Sequence, residues 1–223
     1  MKAIHYTVSW LIRIILGVIC RVDAADVRRL PKEGPAIFVT NHINFLEVPV
    51  IYTQLMPRRL AALVKAETWN NPALAFLGNL WMGIPISRGL VDRKAITAAK
   101  EVLADGRILV IAPEGTRSGD GRLRRGNPGI VLFAADSGIP IFPIAHYGGE
   151  SFWKRFRALR RTDFNIKVGE PIVVRTGEKT LGREKRRAIT DEIMYRIAEL
   201  LPDRLRGYYS DVNGDKYRYT QPV

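Results

Sequence analysis

Unbroken apolar runs and helical repeats alternate along the chain. Ala36-Ile37-Phe38-Val39, Ile108-Leu109-Val110-Ile111 and Ile141-Phe142-Pro143-Ile144 read as buried strands. Leu60 to Val64 is a further strand candidate. Phe164-Asn165-Ile166-Lys167-Val168 alternates in the period of a half-buried strand. Helices are expected between them. Ala95, Ile96, Ala99, Val102 and Leu103 recur at helical spacing, with Asp92 as the cap and Gly106 as the stop. Ile130 to Ala135 predicts a short helix ended by Ser137-Gly138. Ile189, Ile193, Ile197 and Leu200 line one face of a last helix, which Pro202 terminates. This alternation predicts the α/β class: a single layered domain with a central, mostly parallel or mixed sheet flanked by helices. The tail over 203–223 is polar and Tyr-rich, and is expected to be peripheral.

The N-terminal run stands apart. Tyr6 to Cys20 is apolar except for Arg13, and too short to span a bilayer comfortably. Lys2 ahead of the run and Asp23-Ala24-Ala25 after it have the outline of a signal peptide, but Arg13 inside it argues against that. As a helix it would carry Trp10, Leu11, Ile14, Ile15 and Ile19 on a broad apolar side, which predicts an interfacial helix lying on a membrane. A helix packed on the domain is the alternative. The chain thus divides into 1–24 as a membrane-associating helix, 25–202 as the main domain, and 203–223 as the tail.

Charge supports a surface partner. Within 223 residues, 35 Lys and Arg face 22 Asp and Glu, a formal net charge of +13. That excess calls for nucleic acid, acidic lipid headgroups or phosphorylated substrates. The Lys154-to-Arg161 cluster comes with no nucleic-acid recognition motif or aromatic stacking array, so an anionic membrane surface is expected and nucleic acid is not. The single cysteine, Cys20, rules out an intramolecular disulfide and a thiolate-rich metal site, and suits a reducing compartment. His5, His42 and His146 are far apart in sequence, and no metal site is expected.

Two segments carry candidate chemistry. Thr40-Asn41-His42-Ile43-Asn44-Phe45-Leu46-Glu47 follows the first run directly, where open α/β sheets gather functional groups. Pro49 fits the first turn of a helix and not its interior, so that helix starts near Glu47 or Val48 and leaves His42 in the turn ahead. From there Glu47 can fold back on His42, fix its tautomer and leave the other nitrogen to accept a hydroxyl proton. A structural histidine beside an exposed glutamate is the commoner arrangement at this spacing. The second segment, Ala112-Pro113-Glu114-Gly115-Thr116-Arg117-Ser118, also follows an apolar run. Gly115 offers backbone freedom, and Arg117 a planar fork suited to phosphate. Glu114 is placed to accept from a substrate hydroxyl or to hold Arg117, and a polar loop with a local salt bridge is the alternative. Arg88 follows the strand-like Gly83 to Ser87. Trp69, Phe76, Leu77, Leu80 and Trp81 read either as an apolar rim for an acyl chain or as core.

Together these segments resemble the phospholipid and glycerol-phosphate acyltransferase family. Its Asn-His-then-acid motif matches Asn41, His42 and Glu47, and its Pro-Glu-Gly-Thr-Arg-Ser motif is present unchanged at Pro113 to Ser118. Gly83 to Arg88, and Ile139-Pro140-Ile141-Phe142-Pro143, fit its two looser motifs, so the likeness covers roughly Pro35 to Ile144. The resemblance implies attack of a lysolipid hydroxyl on the thioester of acyl-CoA or acyl carrier protein, each a co-substrate, with no cofactor. His42 would be the base, oriented by Glu47. Arg117 with Arg88 would hold the acceptor's phosphate, and Glu114 and Gly115 would shape the acceptor site. A backbone N–H in the Gly115–Thr116 turn would stabilise the oxyanion. Lysophosphatidic acid is the family's usual acceptor, and other lysolipids, glycolipid precursors or ornithine-type lipids share the chemistry. Work at the cytoplasmic face of a membrane is expected. Two departures stand out: the family usually has Asp where this chain has Glu47, and often a Lys where this chain reads Arg124-Arg125. The first is what supports a rival reading, a catalytically silent lipid binder of the same fold.

Overall fold

The computed structural model describes residues 2–87, 92–178, 180–212 and 217–223, with side chains from Ile4 onward. Helix α1 (Lys2–Ile19) leads into strand β1 (Cys20–Asp23), then β2 (Ala36–Thr40), α2 (Glu47–Leu55) and β3 (Leu60–Lys65). Next come α3 (Pro72–Leu80), β4 (Ile84–Ile86), α4 (Arg93–Ala104) and β5 (Ile108–Ile111). The second half runs α5 (Val131–Ala134), β6 (Ile141–Tyr147), α6 (Phe152–Arg157), β7 (Thr162–Val168), β8 (Ile172–Val174), α7 (Arg183–Leu200) and β9 (Thr220–Pro222).

Among the described residues these strands form one mixed sheet, with the order β1-β7-β6-β2-β5-β3-β4 and β8 and β9 attached beyond β6. β2 lies at its centre, parallel to both β5 and β6. Every residue of β2 is buried, because helices cover both faces of a parallel sheet. Alternation then sorts its side chains into two cores. Ile37 and Val39 join α4, α5 and α7, whereas Ala36 and Phe38 join α1 and α2. Asp92 caps α4 by accepting from the Ala95 N–H at 3.0 Å, and Gly106 follows that helix at φ +68.

Three expectations need correction. The tail is not peripheral: Leu205 and Tyr209 are core residues, and β9 pairs with β8. The buried carboxylate of Glu192 accepts the backbone N–H groups of Arg218, Tyr219 and Thr220 at 2.8–3.1 Å, anchoring a segment whose composition reads as exposed. The division after residue 24 cuts through the domain, since β1 pairs in parallel with β7. Lastly, α1 packs on the domain along one side only. Its Leu16 and Ser9 are buried, and Arg13 turns inward to the Thr53 carbonyl of α2 at 3.4 Å. Trp10, Leu11, Ile14, Ile15 and Val18 stay exposed. Among the described residues no helix is long and apolar enough to cross a membrane.

Candidate active site

β2 and β5 end side by side, and the loops that follow them meet. The Ser118 N–H donates to the His42 carbonyl at 2.8 Å and the Gly119 N–H to the Ile43 carbonyl at 3.0 Å. The segment after β2 and the segment after β5 are thereby one structure. From β2 the chain runs through α2 to β3 on one side, whereas from its parallel neighbour β6 it runs on to β7 on the other, so His42 sits at the crevice where strand order switches direction.

α2 begins at Glu47, with Pro49 in its first turn. The Glu47 carboxylate is 3% exposed and folds back over the loop. One oxygen pairs with His42 Nδ1, and the other accepts the N–H groups of Ile43 at 2.8 Å and Asn44 at 3.0 Å. Free N–H groups ahead of a helix favour a carboxylate there. Burial disfavours the Glu47 charge, and His146 favours it only when that ring is protonated. The His42 pairing and the Asn44 N–H act throughout, and the net result is a carboxyl held below the usual range. An ionised Glu47 places the proton of His42 on Nδ1. Nε2 is then left with a bare lone pair and no protein partner among the described residues.

Glu114 does not hold Arg117: one oxygen accepts the His42 N–H at 2.6 Å and the other the Arg124 N–H at 2.8 Å. It braces the histidine loop from below. Burial pushes its carboxyl up to about 7, against the pull of those two donors and of Arg124. Gly115 is at φ +66, where a Cβ would come within 2.8 Å of the Asn127 amide. Asn127 in turn clamps the segment, donating to the Glu114 carbonyl at 3.2 Å and, from its N–H, to the Pro113 carbonyl at 2.7 Å. The Gly115 N–H is committed to Ala112 at 3.1 Å, so of the two amides in that turn Thr116 is the one left for a ligand. Thr116 and Arg117 are exposed beside His42's loop. Arg88 lies outside the described residues.

The sequence reading missed His146. It is fully buried at the end of β6, stacked on Phe164 with ring centroids 5.5 Å apart. Its Nε2 is 2.7 Å from the Asn41 carbonyl, which can only accept, so Nε2 carries the proton, and the same nitrogen lies 3.6 Å from Glu47. Burial lowers its pKa although Glu47 pulls the other way, leaving a neutral ring that packs under the His42–Glu47 pair. The one available signal was its place just after the apolar run Ile141-Phe142-Pro143-Ile144. The aromatic set splits. Trp81 is buried and stacks on Tyr52 at 4.8 Å, Leu77 and Leu80 pack partly against the core, and Phe76 is exposed.

No three His, Cys, Asp or Glu among the described residues are arranged to hold a metal ion. A cleft of about 910 Å³ opens at the opposite end of the sheet, beside the residues that precede β2, β3 and β5, away from His42.

Residues 21–147 match the family model described as Acyltransferase. The chain is 24% identical over 190 residues to 1-acyl-sn-glycerol-3-phosphate acyltransferase of Bacillus subtilis, covering 85% of this chain and 92% of that one. It is 28% identical over 149 residues to the chloroplastic enzyme of that name, BAT2, from Brassica napus, covering 65% of this chain and 42% of that longer protein. The crystal structure of the 1-acyl-sn-glycerophosphate acyltransferase PlsC of Thermotoga maritima shares the fold, with a TM-score of 0.65 at 20% identity, over 89% of this chain and 79% of that one.

Proposed function

The chain belongs to the Acyltransferase family, and on that footing we propose that it moves a fatty acyl group from an acyl thioester to the free hydroxyl of lysophosphatidic acid. The names of the Bacillus and Brassica relatives support that acceptor. The observation that carries the chemistry is the contact between His42 Nδ1 and the Glu47 carboxylate, an arrangement that puts the ring proton on Nδ1 and leaves Nε2 to act as the base. His42 Nε2 takes the hydroxyl proton as the oxygen attacks the thioester carbonyl. A C–O bond forms and the carbonyl becomes an oxyanion, which the Thr116 N–H is placed to stabilise. The oxyanion collapses, the C–S bond breaks, and the thiolate leaves with the proton returned by His42. Glu47 stabilises the intervening imidazolium. Arg117, with Arg88, holds the acceptor phosphate. Either acyl-CoA or acyl carrier protein serves this chemistry as donor.

α1 lies on an anionic membrane with Trp10, Leu11, Ile14, Ile15 and Val18 in the interface, and the cytoplasmic leaflet supplies the negative charge that a +13 chain matches. Removing everything before Ala25 would also remove β1 from the sheet. The cleaner test is Leu11→Glu with Ile15→Glu, which weakens vesicle binding on this reading. Unchanged binding would mean that α1 is not the anchor.

The activity is tested with detergent-purified protein, lysophosphatidic acid, and labelled acyl-CoA or, separately, labelled acyl carrier protein. Labelled phosphatidic acid with one donor supports the reading and names the donor. If neither donor yields product while other lysolipids in a lipid-extract screen do, the acceptor assignment falls. If nothing is acylated at all, the silent lipid binder stands in its place.

A further inference from the structure

The corner formed by α6 and the turn after it carries a surface that acyl transfer itself does not use. Trp153 and Phe156 are about half exposed, and Leu159 is 96% exposed at the outermost point. Leu159 sits at φ 53, the left-handed position that ends a helix and that glycine normally takes. Backbone bonds close the turn around it, from Leu159 N–H to Phe156 and from Arg160 N–H to Arg155, at 3.0 and 2.9 Å. A bulky apolar residue therefore stands in a strained conformation and in full contact with water. Folding gives no reason for it. Lys154, Arg157 and Arg160 flank it in the chain, exposed and without an acidic partner among the described residues.

The corner is held in place from both sides. Arg161 donates to the Gly17 and Cys20 carbonyls at 2.6 Å each, tying the turn to the end of α1. Arg155 pairs with Asp163 at 2.9 Å. On the other side Phe45, three residues from His42, packs edge-on to Phe152 at 5.4 Å and against Trp153 at 5.6 Å. Asn44 donates to the Gly149 carbonyl at 2.7 Å, just ahead of α6. The corner is thus tied to the end of α1 on one side and to the histidine loop on the other.

We infer that residues 152–161 form a second membrane contact, with Leu159 and Trp153 entering an anionic lipid interface and Lys154, Arg157 and Arg160 meeting its headgroups. This rests on the membrane reading proposed above and adds an orientation to it. A single helix lying on a bilayer leaves rotation about its axis open. A second contact at the end of α1 fixes that rotation and turns the His42 loop towards the surface where a lysolipid resides. The basic residues match any anion, and it is the aliphatic Leu159 at the outermost point, with no ring face on which a base stacks, that favours lipid over nucleic acid.

The test uses the full chain with Leu159→Cys labelled by an environment-sensitive dye. Native Cys20 can stay, because it is buried and burial raises its pKa, so the label goes to position 159. The probes are vesicles of phosphatidylcholine alone, vesicles of phosphatidylcholine with phosphatidylglycerol, and a single-stranded oligonucleotide. A blue shift with the mixed vesicles, quenched by a lipid-soluble quencher, is expected. Lys154→Gln, Arg157→Gln and Arg160→Gln together should weaken partitioning onto mixed vesicles by roughly a hundredfold. If the protein binds vesicles while the dye remains in water, the second contact is refuted and the α1 reading survives. If the protein binds no vesicle, both fall. A dye response to the oligonucleotide and not to lipid would overturn the inference in favour of nucleic acid.

Discussion

Asn41 and His146 clasp each other across the ends of β2 and β6. The Asn41 amide donates to the His146 carbonyl and accepts the His146 N–H, both at 2.9 Å, while the His146 ring donates to the Asn41 carbonyl at 2.7 Å. All three contacts are buried. They fix the residue immediately before His42, and so the direction in which His42 leaves the sheet. Asn41→Ala strips partners from two buried backbone groups, and a stability loss of about 2–4 kcal/mol is expected in chemical denaturation. The displaced loop should lower kcat about tenfold or more with little change in KM. A normal kcat in a well-folded Asn41→Ala protein would show that the clasp does not position the base.

Glutamate at 47 fits this site because its length is used. From the first turn of α2 the carboxylate reaches His42 and two backbone N–H groups at once. Glu47→Asp withdraws it by one methylene and should reduce kcat by about tenfold or more. Glu47→Gln keeps the reach but removes the charge proposed to stabilise the imidazolium, and a loss of about 10²- to 10⁴-fold is expected. Steady-state kinetics of the pair decides the matter. A gain of activity in Glu47→Asp would revive the silent-binder reading.

This pair was legible from sequence because its logic is local: a strand, a turn, and a helix start dated by Pro49. The two cores were legible too, since α4 and α7 carry long helical repeats and β2 and β5 are solid apolar runs. β1 and β9 were not, because three or four residues of mixed polarity show neither a period nor an apolar run, and β8 offers an apolar run of only three. The tail misled because its order comes from Glu192, a buried carboxylate that composition cannot locate. His146 was hidden for a similar reason, its partner Asn41 lying 105 residues away. Glu114 was placed in the site by its motif, but the direction of its two oxygens is a tertiary fact.

Glu114 makes stability depend on pH. Its carboxyl is raised in the fold from the usual 4.5 to about 7. The folded chain then holds a proton that the unfolded chain has released. This stabilisation is complete below about 4.5 and is lost as pH rises through 7, at most about 3 kcal/mol. His146 works in the opposite sense, because its lowered pKa makes folding less favourable as pH falls below 6.5. The difference between wild type and Glu114→Gln isolates the carboxyl. Their stabilities, measured by denaturation from pH 4.5 to 8, should converge with rising pH. Parallel curves would mean that Glu114 is ionised throughout.

Arg117 is exposed beside the loop and free to meet an anion. Arg117→Ala should raise KM for lysophosphatidic acid by roughly tenfold to a hundredfold, the worth of a charge-assisted hydrogen bond, and leave KM for the thioester donor unchanged. Equal effects on both substrates would contradict a phosphate-holding role.

The most direct measurement is the turnover of His42→Ala beside wild type, with lysophosphatidic acid and whichever thioester the wild type uses. A general base in the His42 position predicts a folded variant, confirmed by circular dichroism, that still binds lysophosphatidic acid but forms phosphatidic acid at least a hundredfold more slowly. A variant that turns over at the wild-type rate would contradict the assignment of His42 and, with it, the mechanism built on the His42–Glu47 pair.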